Sequence, residues 1–265
     1  MQRLASVARA LAIASCIPLV VLAAHTALTT LALARADALA LDALASAASL
    51  ALLAFAAASL GRTPIARRLG LGTGRLSQTR VVLAALGLVG LSHAAEALLR
   101  LAGATSPGLA RFDEALAGLP LSRIGFPFFA LAIGSAVGEE LFFRGLLQRG
   151  LVPVLGRGVA IGGVALAFGV AHGDLVHGAA ATGLGLYLGA LAWHSDSIRA
   201  PIAAHVLNNA MALLEVASEL RIPEGPIATP LSLAAGLTLA CVGLLAMQGA
   251  APAEPILQSP PGSAD

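Results

Sequence analysis

Long apolar runs decide what this chain can fold into. "SLALLAFAAAS", "VVLAALGLVGL", "FPFFALAIGSAVG" and "PLSLAAGLTLACVGLLAM" carry no charge at all. A bilayer's hydrocarbon core is roughly 30 Å thick and takes about 20 predominantly apolar residues to cross as a helix. Only helices and closed barrels satisfy their backbone there, and runs without period-two alternation specify helices. About eight candidate spans follow, at roughly 6–33, 38–60, 81–102, 124–148, 158–173, 178–194, 198–216 and 229–248. The fifth and sixth are short, and seven is the alternative count if the second or eighth is misread. The expected fold is an all-α polytopic transmembrane helical bundle.

Composition agrees. The 265 residues are 58% hydrophobic and 11% charged, with a mean hydropathy of +0.87, where ordinary soluble domains carry about 25% charged residues. Residues 1–250 therefore read as one integral membrane domain, and no soluble domain is visible. The tail at 251–265, "APAEPILQSPPGSAD", is rich in Pro and small residues and reads as disordered. The net charge of +2 gives no reason to expect nucleic acid; the partner that composition implies is the lipid bilayer. Cys16 and Cys241 lie far apart in apolar segments and read as small buried hydrophobes. The run around Cys16 continues through "IPLVVLAA", so the first 34 residues read as a retained span rather than a cleaved leader.

The basic residues are all Arg, because the chain contains no Lys. Arg3 and Arg9 precede the first span. The connection "GRTPIARRLGLGTGRLSQTR" adds Arg62, Arg67, Arg68, Arg75 and Arg80 with no acid, and Arg149, Arg157 and Arg199 fall in later alternate loops. The opposite loops hold fewer arginines and most of the acids. By the positive-inside rule the arginine-rich loops and both termini face the cytoplasm, in a multi-pass protein of the cell's inner (plasma) membrane. The Ala/Leu/Arg-rich, Lys-free composition suggests a GC-rich bacterial source.

Ionisable groups at membrane depth are expensive, so each is a candidate for function. In "VGEELFFRG", Glu140 and Arg144 stand four apart and share a helix face, while Glu139 points about 100° away. The division this suggests is a Glu140–Arg144 ion pair and a chemically available Glu139; the plainer reading is a charge cluster at a helix end. "FGVAH" sets Phe168 one turn below His172, and "HVLNN" sets His205 and Asn209 on one face, with Asn208 off it as a packing amide. A carboxylate, two imidazoles and a carboxamide on three apolar helices are the inventory for activating a water and stabilising an oxyanion. Glu139, His172 and His205 are equally a possible ligand set for one divalent metal such as zinc, although no HExxH helix is present. Of the rest, His93 and Glu96 are three apart and read as a buried pair. Asp174 and His177 read as a solvated loop, and His194 with Asp196 as a turn.

"GEELFFRG", "FGVAH" and "HVLNN" match, in order, the EExxxR, FxxxH and HxxxN motifs of the CPBP family, the CAAX proteases and bacteriocin-processing enzymes also called Abi. "LGALAWHSDSIRAPIAAH" resembles the segment that precedes the family's last motif. The similarity covers Glu139 to Asn209, about 124–216 as a catalytic half; the first three spans add nothing to it. The resemblance implies an intramembrane protease whose site opens to the cytoplasm and whose substrate is a membrane-associated peptide or protein. By position, Glu139 would be the general base with His172 assisting. His205 and Asn209 would stabilise the oxyanion, and Glu140, Arg144 and Phe168 would support the site. Whether such a site is glutamate- or metal-dependent (a metalloprotease) stays open. The competing class is a non-proteolytic membrane protein, a transporter, proton relay or immunity scaffold, using the same buried polar cluster.

Overall fold

The computed structural model describes residues 35–218 and 225–248, and among them the regular structure is entirely helical. In chain order the helices are α1 (Arg35–Ser59), the short α2 (Ile65–Arg68), α3 (Gln78–Leu101) and α4 (Pro107–Leu116). Then come α5 (Gly125–Leu155), α6 (Arg157–Val170), α7 (Leu175–Ser195), α8 (Arg199–Ala217) and α9 (Ala228–Met247). Six of these, α1, α3, α5, α7, α8 and α9, are long and apolar enough to cross a membrane. The chain is a multi-pass membrane protein.

Seven of the eight candidate spans fall among the described residues, and six of those seven are helices of membrane-crossing length. The first candidate span, with Cys16 and His25, lies outside the described residues, as does the tail at 251–265. The fifth is α6, whose 14 residues extend only about 21 Å at the α-helical rise. The sequence stops it there for identifiable reasons. Gly173 takes a left-handed φ of +66°, and Asp174 accepts a hydrogen bond from the His177 N–H at 2.7 Å, capping the start of α7. Asp174 also accepts from the Gly108 N–H at the head of α4. These hydrogen bonds, the His177 one first, hold its carboxyl below the usual carboxylate range. The solvated loop expected at Asp174 and His177 is in fact a built helix start.

A second correction concerns α5. The candidate span 124–148 put the charged motif near a helix end, but the helix continues for 31 residues to Leu155. Glu139 and Glu140 therefore sit at its middle, which removes the helix-end reading. Two stretches of α5, Phe128–Gly134 and Glu140–Gln148, are π-helical, a conformation often found at functional sites.

Small residues let the helices close around this centre. A Cβ added at Gly138 would lie 2.7 Å from the Cα of Ala47, so α1 and α5 touch backbone to backbone. Across the bundle, α3 meets α9 at Gly87 and Gly243, where an added Cβ on either would approach the other's Cα to within 2.8–2.9 Å. Tyr187 of α7 fills the notch between them and donates its hydroxyl to the Ala84 carbonyl at 2.8 Å. Cys241 is exposed on α9 rather than buried as expected.

The 60–77 connection, the end of α5 and the α7–α8 turn meet, which gathers their arginines, Arg75 and Arg149 among them, at one end. There the 60–77 connection is stitched to the α7–α8 turn. The Arg75 N–H donates to Ser195 O at 2.8 Å, the Ile198 N–H to Gly70 O at 3.0 Å, and the Ser197 hydroxyl to Gly72 O at 2.7 Å. Asp196, left-handed at φ 51°, accepts from Arg75 and Arg149 at 3.2 and 3.0 Å.

Candidate active site

The centre of α5 presents its two carboxylates to different surroundings. The side chain of Glu140 is fully buried, whereas that of Glu139 keeps 22% of its exposure. Glu140 accepts from Arg144 Nη1 at 2.5 Å through Oε1, the pairing that the four-residue spacing predicts. Arg144 reaches on to α7, donating from Nη2 to the Gly185 carbonyl at 3.1 Å, and its guanidinium lies 4.6 Å from the Phe168 ring centroid. Gly185 also lets α6 pack close to α7, because an added Cβ there would meet Ala165 and Phe168 at 3.2 Å.

The three motifs come together on this brace. His205 of α8 places Nδ1 3.0 Å from Glu140 Oε1 and Nε2 3.7 Å from Glu139 Oε2, so one imidazole spans both carboxylates. Phe168 packs edge-on against His172 at 4.9 Å and His205 at 5.9 Å, with Phe143 behind it at 5.2 Å. His172 sets Nδ1 2.8 Å from the Phe168 carbonyl. A carbonyl only accepts, so Nδ1 carries the proton and Nε2 is left as the basic nitrogen when the ring is neutral. Asn209, one turn beyond His205, donates from Nδ2 to the Leu131 carbonyl at 3.3 Å and accepts from Asn208 at 3.4 Å. The amide keeps a second N–H for another acceptor.

Several groups lie elsewhere than the sequence suggested. His93 does not pair with Glu96: its Nε2 meets Glu215 of α8 at 3.0 Å and its Nδ1 the Val89 carbonyl at 2.8 Å. Glu96 is held by Arg100, one turn along α3. His177 packs its ring 4.7 Å from that of His172, extending the aromatic stack. Gln148 is a further buried polar residue of α5 that the motifs do not include. It is 3% exposed and donates from Nε2 to the Gly189 carbonyl at 2.9 Å. The signal was present, since Gln148 continues the Glu140, Arg144 spacing by four.

Among the described residues no group of three or more His, Cys, Asp or Glu is gathered as a metal ion needs. Glu139, His172 and His205 do not fit as a ligand set in this arrangement, and no step below runs through a metal.

Residues 122–211 match the family model described as "Type II CAAX prenyl endopeptidase Rce1-like". Over these residues the chain is similar to the CAAX endopeptidases of the CPBP family. The matched segment runs from the start of α5 into α8 and contains all three motifs. It supports a protease with a peptide or protein substrate. No curated protein and no solved structure matches the chain. His93 and Glu215 fall outside the CPBP-like segment, and Gln148 inside it.

Proposed function

We propose that the chain is an intramembrane endopeptidase that hydrolyses a peptide bond of a membrane-associated substrate with a water activated at Glu139. One observation carries the reading. At the middle of the bundle a partly exposed carboxylate and an imidazole from another helix stand 3.7 Å apart, backed by a fully buried ion pair. Glu139 takes a proton from the attacking water, and the hydroxide adds to the scissile carbonyl. The spare Asn209 N–H, and His205 once Nε2 is protonated, serve the oxyanion. The neutral Nε2 of His172 assists by accepting and returning a proton on the way to the leaving amine. Glu140, fixed by Arg144, holds the His205 ring through Nδ1 and so sets the direction of its Nε2.

The arginine-rich end faces the cytoplasm by the positive-inside rule, which sets the substrate side. The matched model's name points to prenylated C-terminal tails, and these belong in the assay beside unmodified peptides. Purified protein is tested against fluorogenic peptides with and without a prenyl-cysteine, alongside Glu139→Ala, His172→Ala and His205→Ala. The expected result is cleavage by the wild type and a loss of at least about 100-fold in the Glu139 variant, the low end for a general base. Undiminished cleavage by Glu139→Ala would remove Glu139 as the base. Thorough metal removal addresses the remaining chemistry: the glutamate-only reading expects full activity, and a loss restored by zinc would replace it.

A further inference from the structure

The Glu140–Arg144 brace continues one rung further than the family's motif. Arg144 and Gln148 stand one turn apart on α5 and donate to Gly185 and Gly189, one turn apart on α7. The two rungs are built alike. At each, α7 lacks a side chain, and at the second the space is used by the amide itself: a Cβ on Gly189 would lie 2.9 Å from Gln148 Oε1. The assignment of the amide is fixed by chemistry, because its reversal would set an oxygen against the Gly189 carbonyl. Each rung also keeps one unpartnered polar atom. Arg144 Nε and Gln148 Oε1 are both buried and make no hydrogen bond within the chain.

We infer that Gln148 is a positioning residue of the site, acting through Arg144 and Glu140 on His205. Its rung sets the register of α5 against α7. That register aims the guanidinium, the guanidinium holds Glu140 Oε1, and Oε1 holds Nδ1 of His205. The inference rests on the reading of His205 as a site residue, but its test does not depend on turnover. Gln148→Leu keeps the volume and removes both polar functions in a setting where Leu is welcome, and the Gly189 carbonyl lies within a helix.

The test uses full-length protein in detergent, with ring-15N-labelled histidine and the His205 signals assigned by His205→Gln. Gln148→Leu is expected to shift the His205 ring nitrogens while leaving those of His93 and His194 in place. Gly189→Ala, which drives a methyl at the amide from the opposite side, is expected to produce the same shift. Any cleavable peptide from the assay above should then show kcat lower by about 10–100-fold, the range for outer-shell partners, with KM nearly unchanged. A merely structural Gln148 would lower the melting temperature without moving the His205 signals, and that result overturns the inference. Unmoved His205 signals in a well-folded Gln148→Leu overturn it as well. If the wild type cleaves nothing, the peptidase reading fails, and the nitrogen shifts still decide the role of Gln148.

Discussion

Between α3 and α9 the chain joins two membrane helices with glycine on glycine and one tyrosine hydroxyl. Between α5 and α7 it uses a buried carboxylate, a guanidinium and an amide, and three of their polar atoms, Glu140 Oε2, Arg144 Nε and Gln148 Oε1, find no partner within the chain. Both seams hold helices together in the same bundle. The first shows that small residues alone suffice, as close backbone approach generally does in membranes. The second spends about 1–3 kcal/mol on each buried atom left unsatisfied. Packing does not call for that outlay, so the polar seam is explained by what it orients. Its far end holds His205, and the glycine seam ends on nothing reactive.

The comparison breaks first at Arg144. Arg144→Ala strands Glu140 in a fully buried position, and removing one partner of such a pair costs about 3–5 kcal/mol. The expected outcome is a steep fall in folded yield and in the melting temperature of the residual folded fraction in detergent. A well-folded Arg144→Ala protein would mean that the ion pair carries little weight. The glycine seam comes next. Gly243→Leu puts a side chain where Gly87 Cα allows none, and overpacking of this kind costs about 1–3 kcal/mol. Melting should fall while activity per folded molecule stays at the wild-type level. A matching fall in kcat would erase the distinction between the seams.

The His93–Glu215 pair lies between these extremes, joining α3 to α8 with side chains that retain 18% and 23% of their exposure. His93→Ala removes one charged hydrogen bond and should lower stability by about 1.5 kcal/mol, read as a modest drop in melting temperature. Glu215→Gln, which keeps a hydrogen-bonding group, should lower it less. If His93→Ala is as damaging as Arg144→Ala, the polar seam at α5 is not special.

Much of this was legible in the chain, and the failures have physical causes. The all-helical membrane fold follows from apolar runs that nothing else can accommodate. The Glu140–Arg144 pair follows from helical spacing, because both partners lie on one helix. His93 went wrong for the complementary reason: Glu96 is the neighbour in sequence, but Glu215 reaches it from another helix at a separation no local period encodes. The end of α5 was misplaced because Arg149 reads as a loop arginine, yet the helix runs through it and through Pro153 to Leu155. α6 looked like a span because hydropathy measures apolarity and not whether a turn such as Gly173–Asp174 cuts the helix short.

The smallest expected effect on the fold belongs to the residue with the largest expected effect on chemistry. Glu139 keeps 22% of its side-chain exposure, and His205 Nε2 is 3.7 Å away. Glu139→Gln preserves shape and hydrogen-bonding capacity while removing the basic oxygen, so stability should change by no more than about 0.5 kcal/mol, the scale of partly exposed positions. Turnover should fall by roughly 100- to 10,000-fold, the contribution of a general base. Melting temperature and kcat measured on one preparation give both numbers. Arg144→Ala and Glu139→Gln then form a pair: the first removes the fold that displays the chemistry, and the second removes the chemistry from an intact fold. If Glu139→Gln melts as early as Arg144→Ala, the two faces of α5 are not divided between support and reaction, and both carboxylates belong to the brace.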